Sequence, residues 1–528
     1  MRPVRSTSWI SLLGVALAWG AWAVPVLGQA PVATPPDDPS AAPAADLPVP
    51  STPAKTTKLV DLANRYRFTE RYPREDGREL PGSLGPYRVG LFEVVKDVID
   101  QPQGAPRRSE LTRQAIFIER ATEQAGIGGV IGSVRLYERY ATRPADPSKL
   151  MGATPLDGLS IATRFRSADW PLVGSLNDRK PTDYEFEVVA RQMIVPQLNL
   201  ILPGQAIRLG DSWRVPRRAA QALLGEPGAK GDTLVGKFDE LRKEVDGPRL
   251  VALVRVTGRI TTPTGESAVN AEVQFTFQAD TPAKTPLDNV TGRTTEGLLE
   301  ARGAITEVRM GRTTTGPLPG PGRLKYQTTR EVTMRRQLDL GPLGASLPRF
   351  PSAPKVNDPN HWLTWLDPSG RFRLNHPQDL LPPERPALAP GEPGSAALVR
   401  TLRGGTDLIQ VDFVGKALGP DDLKAKLAAK YGKIKVIQGE EAWLPELDWP
   451  NRKVYRVEAA VEAPNPTDGP SSRSTRLHFD GYLIQTTQAS SLLVIATTDR
   501  EPVAPFRREV EQILKTIEVD PAIPSSPR

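Results

Sequence analysis

Apolar and polar side chains alternate with a period of two through much of residues 58–340. Leu250, Ala252, Val254, Val256 and Ile260 share one parity, while Arg249, Arg255, Thr257 and Arg259 hold the other. The next run reverses it, with Val269, Ala271, Val273, Phe275 and Phe277 apolar and Asn270, Glu272, Gln274 and Gln278 polar. Thr262-Pro263-Thr264-Gly265 between them predicts a hairpin turn. Shorter alternation at Tyr184-Phe186-Val188 and Val134-Leu136 reads as further strand. One wet face and one buried face is the habit of antiparallel sheets. The pattern therefore predicts a large antiparallel β-meander over 58–340, curled around a helix or closed toward a half-barrel.

Beyond residue 359 the pattern changes. Phe372–Asn375 reads as a short strand, and Leu398–Leu402 and Leu408–Phe413 flank a hairpin signal at Gly404-Gly405. Asp421–Tyr431 reads as a helix: Pro420 stands at its start, Leu423, Leu427 and Tyr431 recur every four residues, and Gly432 stands at its stop. Strands are expected near Ile434–Ile437, Val454–Val461, Arg476–Thr486 and Leu492–Thr497. A second helix follows, with Phe506, Val510, Ile513, Leu514 and Ile517 on one stripe. The predicted fold is thus a large antiparallel β-meander or half-barrel domain followed, at 360–520, by an α+β domain in which two helices pack on an antiparallel sheet.

The ends and joints of the chain read differently. Arg2 and Arg5, an apolar run from Trp9 through Leu27, and small residues at Gly28 and Ala30 have the layout of a secretory signal peptide over 1–30, cleaved near Ala30. The expected location is periplasmic or secreted. Residues 31–57 form a proline-rich tether, because few of their side chains bury enough apolar area to offset the entropy of ordering them. A second proline-rich break covers 341–359, and 521–528 read as a disordered tail. No later apolar run is long enough to cross a bilayer as a helix. The chain has 528 residues, no cysteine and a formal net charge of +7, so disulfides and a lipid-modified cysteine are excluded and the charge excess is modest. A nucleic-acid partner is not expected, since export takes the chain out of the cytoplasm and its basic residues alternate with acids.

Candidate chemistry is sparse. The chain contains only three histidines, His361, His376 and His478, and none sits at a metal-ligand spacing. Asp480 shares a strand face with His478, the pattern of a surface hydrogen bond. The glycine-rich stretch Gly126-Ile127-Gly128-Gly129-Val130-Ile131-Gly132 precedes an alternating segment, whereas a dinucleotide loop opens a helix. Ser352-Ala353-Pro354-Lys355 has the spacing of an acylating Ser-x-x-Lys pair, but proline interrupts it inside a linker. Asp421-Asp422 are placed as charges at a helix N-terminus. The sequence therefore predicts no catalytic, cofactor-binding or metal-ligating residue. Trp443 and Trp449, flanking a proline-containing loop, are the candidate ligand or partner contacts, because tryptophan offers broad contact at small entropic cost; anchoring of the loop or the edge of a small core is the reading that the burial tendency of tryptophan favours.

Two stretches carry family resemblances. Phe372-Arg373-Leu374-Asn375-His376-Pro377 and the closing Phe506–Ile517 resemble the first strand and last helix of the PsbP-like, Mog-type fold, with His376 where members of that family often have tyrosine. That resemblance implies a non-catalytic module that binds or stabilises partners. Gly210-Asp211-Ser212-Trp213 and the long meander resemble LolA-type lipoprotein carriers, half-barrels that hold acyl chains. The leading expectation is a non-enzymatic exported binding or scaffold protein of a bacterial cell envelope, its partner an envelope protein, glycan or lipid. The alternatives are a carrier of a lipid or other apolar ligand in the β-rich region and an envelope hydrolase that uses carboxylates.

Overall fold

The structure, a computed structural model, describes residues 56–59, 64–73, 79–81, 86–100, 105–125, 129–144, 156–166, 170–175, 179–226, 233–244, 248–262, 265–279, 298–317, 325–338, 340, 354, 358–367, 370–382, 394–402, 405–431, 436–447, 452–463, 475–486 and 490–519. The expected signal peptide, most of both proline-rich linkers, Gly126–Gly128, Trp449 and the tail lie outside the described residues.

One 14-stranded sheet dominates the first half of the chain. It is built from two antiparallel meanders. One runs through Tyr87–Ile99, Arg107–Ala125, Gly129–Pro144, Ser160–Arg164 and Leu172–Ser175. The other runs through Val235–Glu244, Leu250–Thr262, Gly265–Ala279, Leu298–Pro317 and Lys325–Gln337. They join where Lys325–Gln337 pairs with Tyr87–Ile99, Gln337 opposite Arg88 and Tyr326 opposite Ile99. Thr56–Leu59 forms one edge against Val235–Glu244, so the expected tether ends in a strand. Arg65–Pro73 adds a parallel pairing with Leu298–Pro317. The predicted hairpin is present: Thr262 pairs with Gly265, and Val269, Ala271, Val273, Phe275 and Phe277 are all buried.

Between the two meanders, residues 182–226 supply two helices, α1 (Asp183–Ala190) and α2 (Arg217–Leu224), and a 3-10 turn, Val195–Ile201. Their apolar side chains share one core with the inward residues of the sheet. Tyr184-Phe186-Val188 is therefore helical rather than extended. The local reason is a capping box: Thr182 accepts from the Glu185 backbone N–H, and the Glu185 carboxylate accepts from the Thr182 backbone N–H. Arg179 fixes that carboxylate with two further bonds. Helix α2 ends at Gly225, whose φ of 61° is left-handed and whose Cα leaves no room for a Cβ beside the Arg191 carbonyl.

The second half holds a six-stranded antiparallel sheet in the order Ser395–Leu402, Gly405–Val414, Ser491–Thr498, Thr475–Thr486, Arg452–Ala463, Val436–Trp443. Helix α4 (Ala504–Lys515) packs on one face through Phe506, Val510, Ile513 and Leu514, and α3 (Pro420–Tyr431) on the other through Leu423 and Leu427. Ser491–Thr498, in the middle of the sheet, is buried at every position, because both its faces are covered.

The expected succession of a β domain and an α+β domain does not hold. Among the described residues 62% lie in strands and 17% in helices, and each half carries two of the four α-helices. Contacts also cross the break expected at 341–359. Leu363–Leu366, Phe372–His376 and Glu518–Val519 form a three-stranded sheet that touches both halves. Leu363 belongs to the core of the large sheet, while Phe372 and Leu374 belong to that of the six-stranded one. Thr364 N–H donates to the Pro181 carbonyl at 2.9 Å. The Gln378 amide accepts from Val173 N–H at 2.8 Å and donates to the Val173 carbonyl at 2.5 Å, capping the edge strand of the large sheet. The apolar pattern gives no sign of this seam, because it is made of single side chains from segments nearly 200 residues apart.

Candidate functional site

The inward rows of the large sheet are apolar in the middle and charged at the ends. Along one strand the row runs Tyr87, Val89, Leu91, Glu93. On its neighbours it runs Glu119, Phe117, Ala115, Arg113 and Arg336, Met334, Val332, Arg330. Glu93 lies directly opposite both Arg113 and Val332. It forms an ion pair with Arg330 Nε and stands 3.6 Å from Arg113 Nη1. Arg330 also donates to the Leu224 carbonyl at 3.2 Å and the Arg191 carbonyl at 2.9 Å, the C-terminal ends of α2 and α1. A cation there meets the negative ends of two helix dipoles. Burial lowers the Arg330 pKa; Glu93 opposes that, and the nearby Arg312, Arg113 and Arg191 cations add to it. These groups, with Tyr140, Gln192 and apolar walls from Leu91, Ala115, Val188, Met193 and Val332, enclose a recess of about 20 Å³.

Deeper under α1 lies a second charged group. Glu119, fully buried, accepts from Arg135 Nε at 2.7 Å, Ser133 Oγ at 2.8 Å and the Tyr87 hydroxyl at 3.3 Å. Arg135 donates onward to Gln192 at 3.0 Å and the Met193 carbonyl at 3.2 Å, and covers the Phe117 ring. Tyr137 shares the same Gln192 oxygen. Burial and the Glu119 charge push the Tyr87 hydroxyl well above its usual pKa. A carboxylate closed off from solvent and held by three donors is committed to structure. Glu70 with Arg336 and Glu226 with Arg312 repeat the arrangement elsewhere in the first half. The interior that an acyl carrier needs open is occupied here by the side chains of α1, α2 and the 3-10 turn.

In the second half, Arg400 links Asp407, Glu509 and Asp379, and Arg507 links Asp480 and Glu458. Burial raises the Asp480 pKa, against the pull of Arg507. His478 and Asp480 do not pair with each other as the strand spacing suggested: His478 contacts Glu501 at 2.6 Å. His376 lies at the seam, its Nε2 3.1 Å from Asp183 and its Nδ1 3.0 Å from the Pro377 carbonyl. Among the described residues no group of three His, Cys, Asp or Glu side chains is placed to hold a metal. The segment after the glycine-rich stretch is the strand Gly129–Pro144, not a helix that meets a pyrophosphate.

Of the two candidate tryptophans, Trp443 is described and is 43% exposed on the outer strand of the six-stranded sheet. Its ring lies 5.2 Å from that of Tyr455, inclined by 60°. The Tyr455 hydroxyl donates to Glu441 at 2.6 Å, and Lys424 of α3 holds the same carboxylate at 2.6 Å. The exposed indole is thus braced from below. The charged recess escaped sequence reasoning. Its one signal was parity: Glu93, Arg113 and Arg330 continue inward rows whose middle positions are apolar.

No protein-family model matches the chain, and no curated protein does. Solved structures similar to it include a DUF1329 family protein from Desulfovibrio piger, at 11% identity and a TM-score of 0.13, covering 49% of this chain and 91% of that one. Pseudomonas aeruginosa OccK2 (OpdF) is similar at 8% identity and a TM-score of 0.11, covering 78% and 96%. A BenF-like porin from Pseudomonas fluorescens gives 8% and 0.11, covering 79% and 99%. Scores this low carry no argument about fold or function.

Proposed function

We propose that the chain is an exported, non-enzymatic binding or scaffold protein of a bacterial cell envelope, sent out by the leader that ends near Ala30. The observation that carries the binding role is Trp443: a large exposed aromatic on a sheet edge, packed against the ring of Tyr455, whose hydroxyl Glu441 fixes in turn. A pre-positioned indole loses little entropy on contact, the property that makes tryptophan a dominant interface residue. The carboxylates of Glu70, Glu93, Glu119 and Glu226 each lie against an arginine inside the protein, which disfavours the carboxylate-hydrolase reading.

The test has two parts. The exported protein is expected to begin at or close to Pro31 when its N-terminus is sequenced. The purified mature chain is expected to sediment with washed cell envelopes, and Trp443→Ala to weaken that retention about tenfold, the loss typical of an interface anchor. A chain that stays in the cytoplasm, or a variant retained as well as the parent, contradicts the proposal.

A further inference from the structure

The geometry points to a site for a small monovalent anion, of chloride size, in the recess between Arg113, Arg330 and Tyr140. This inference is independent of any envelope partner. It starts from a mismatch of charge. Arg113 and Arg330 both turn to one carboxylate, Glu93. Arg330 has the better of it, with Nε paired to Glu93 and its two outer nitrogens donating to the carbonyls of Leu224 and Arg191. The helix ends thereby absorb much of the Arg330 charge. Arg113 is left with a loose 3.6 Å contact, and its Nε is buried without a hydrogen-bond partner. At the rim Arg191 pairs with Glu187 at 3.1 Å, so that pair adds no net charge. The surplus is one positive charge, and it sits on Arg113.

Size and surroundings select the ligand. The free space is about 20 Å³, room for a water or one small ion. Leu91, Ala115, Val188, Met193 and Val332 wall it with apolar surface, where a charge interacts more strongly than in water. The same walls penalise a multiply charged, strongly hydrated anion such as phosphate, whose shell has no replacement there. A halide gives up less hydration and gains the Arg113 guanidinium. Burial first, and then the neighbouring Arg312, Arg113 and Arg191 cations, lower the Arg330 pKa against the pull of Glu93.

Chloride-35 NMR line broadening reads such a site directly. The purified full-length mature chain is expected to broaden the chloride line saturably, and added bromide to reverse the broadening. Arg113→Met removes the surplus charge and is expected to weaken binding about tenfold, the worth of one charge-assisted bond. Arg373→Met, which removes an exposed arginine paired with Glu518, is expected to leave it unchanged. Glu93→Gln removes the competing carboxylate and is expected to tighten binding, a change in the direction opposite to that of general damage. The proposal fails if the parent shows no saturable broadening, or if Arg113→Met broadens the line as the parent does.

Discussion

At the scale of single residues, the buried ion pairs decide more than their number suggests. Glu119 and Arg135 are both closed off from solvent, and each satisfies the other together with a ring of neutral partners. Removing one member strands the other's charge in the core. Arg135→Met is therefore expected to cost about 3–5 kcal/mol in urea unfolding, and Glu119→Gln together with Arg135→Met to recover much of that. If the single and double variants are equally unstable, packing of the arginine stem rather than charge explains the loss. These partners were half legible in the sequence. In Ala115-Ile116-Phe117-Ile118-Glu119 the inward parity carries an acid, which announces a buried partner without naming it. The partner lies on the next strand, where a bulge opposite Ile116 and Phe117 shifts the register so that Tyr137 and Tyr140 both turn inward. No period-two count anticipates that shift.

At the scale of elements, local chemistry set most of the outcome. Pro420 and the four-residue spacing of Leu423 and Leu427 announced α3, and the apolar stripe from Phe506 announced α4. Tyr184-Phe186-Val188 misled: in the helix these positions do not share a face, Tyr184 being 46% exposed while Phe186 and Val188 are buried, and the capping box at Thr182 favours the helix. The start of that helix also carries a pH response. Both ring nitrogens of His376 face oxygens that accept: the carboxylate of Asp183, the first residue of α1, and the Pro377 carbonyl. Both bonds are made only when both nitrogens carry hydrogen. Burial alone draws the His376 pKa down, but the Asp183 charge and these hydrogen bonds outweigh it, and the pKa is raised. The stabilisation is then fully present below about pH 6.5, the ordinary histidine value, and is lost as pH rises through the raised folded value. His376→Gln is expected to flatten the fall in unfolding midpoint across that range. A parent protein with no such fall contradicts the assignment.

At the scale of the whole molecule, the seam carries contacts across the linker expected at 341–359. Gln378 occupies both backbone groups of Val173 at the edge of the large sheet, and Leu363 completes its core. Gln378→Ala leaves those groups unpaired and is expected to cost about 1–3 kcal/mol. Deuterium uptake is expected to rise together in Leu172–Ser175 and Leu363–Leu366; a rise on one side alone means that the halves are not coupled. The sequence by itself determined the β-rich character, the hairpins, and α3 and α4, because periodicity, proline and helix-end chemistry act over a few neighbouring residues. Only the tertiary structure decided that two meanders join edge to edge, that α1 and α2 fill their concave face, and that Arg113 and Arg330 contend for Glu93. Such partners lie up to 237 positions apart in the chain, and whether a charge finds its match depends on register and closure, which no local pattern specifies.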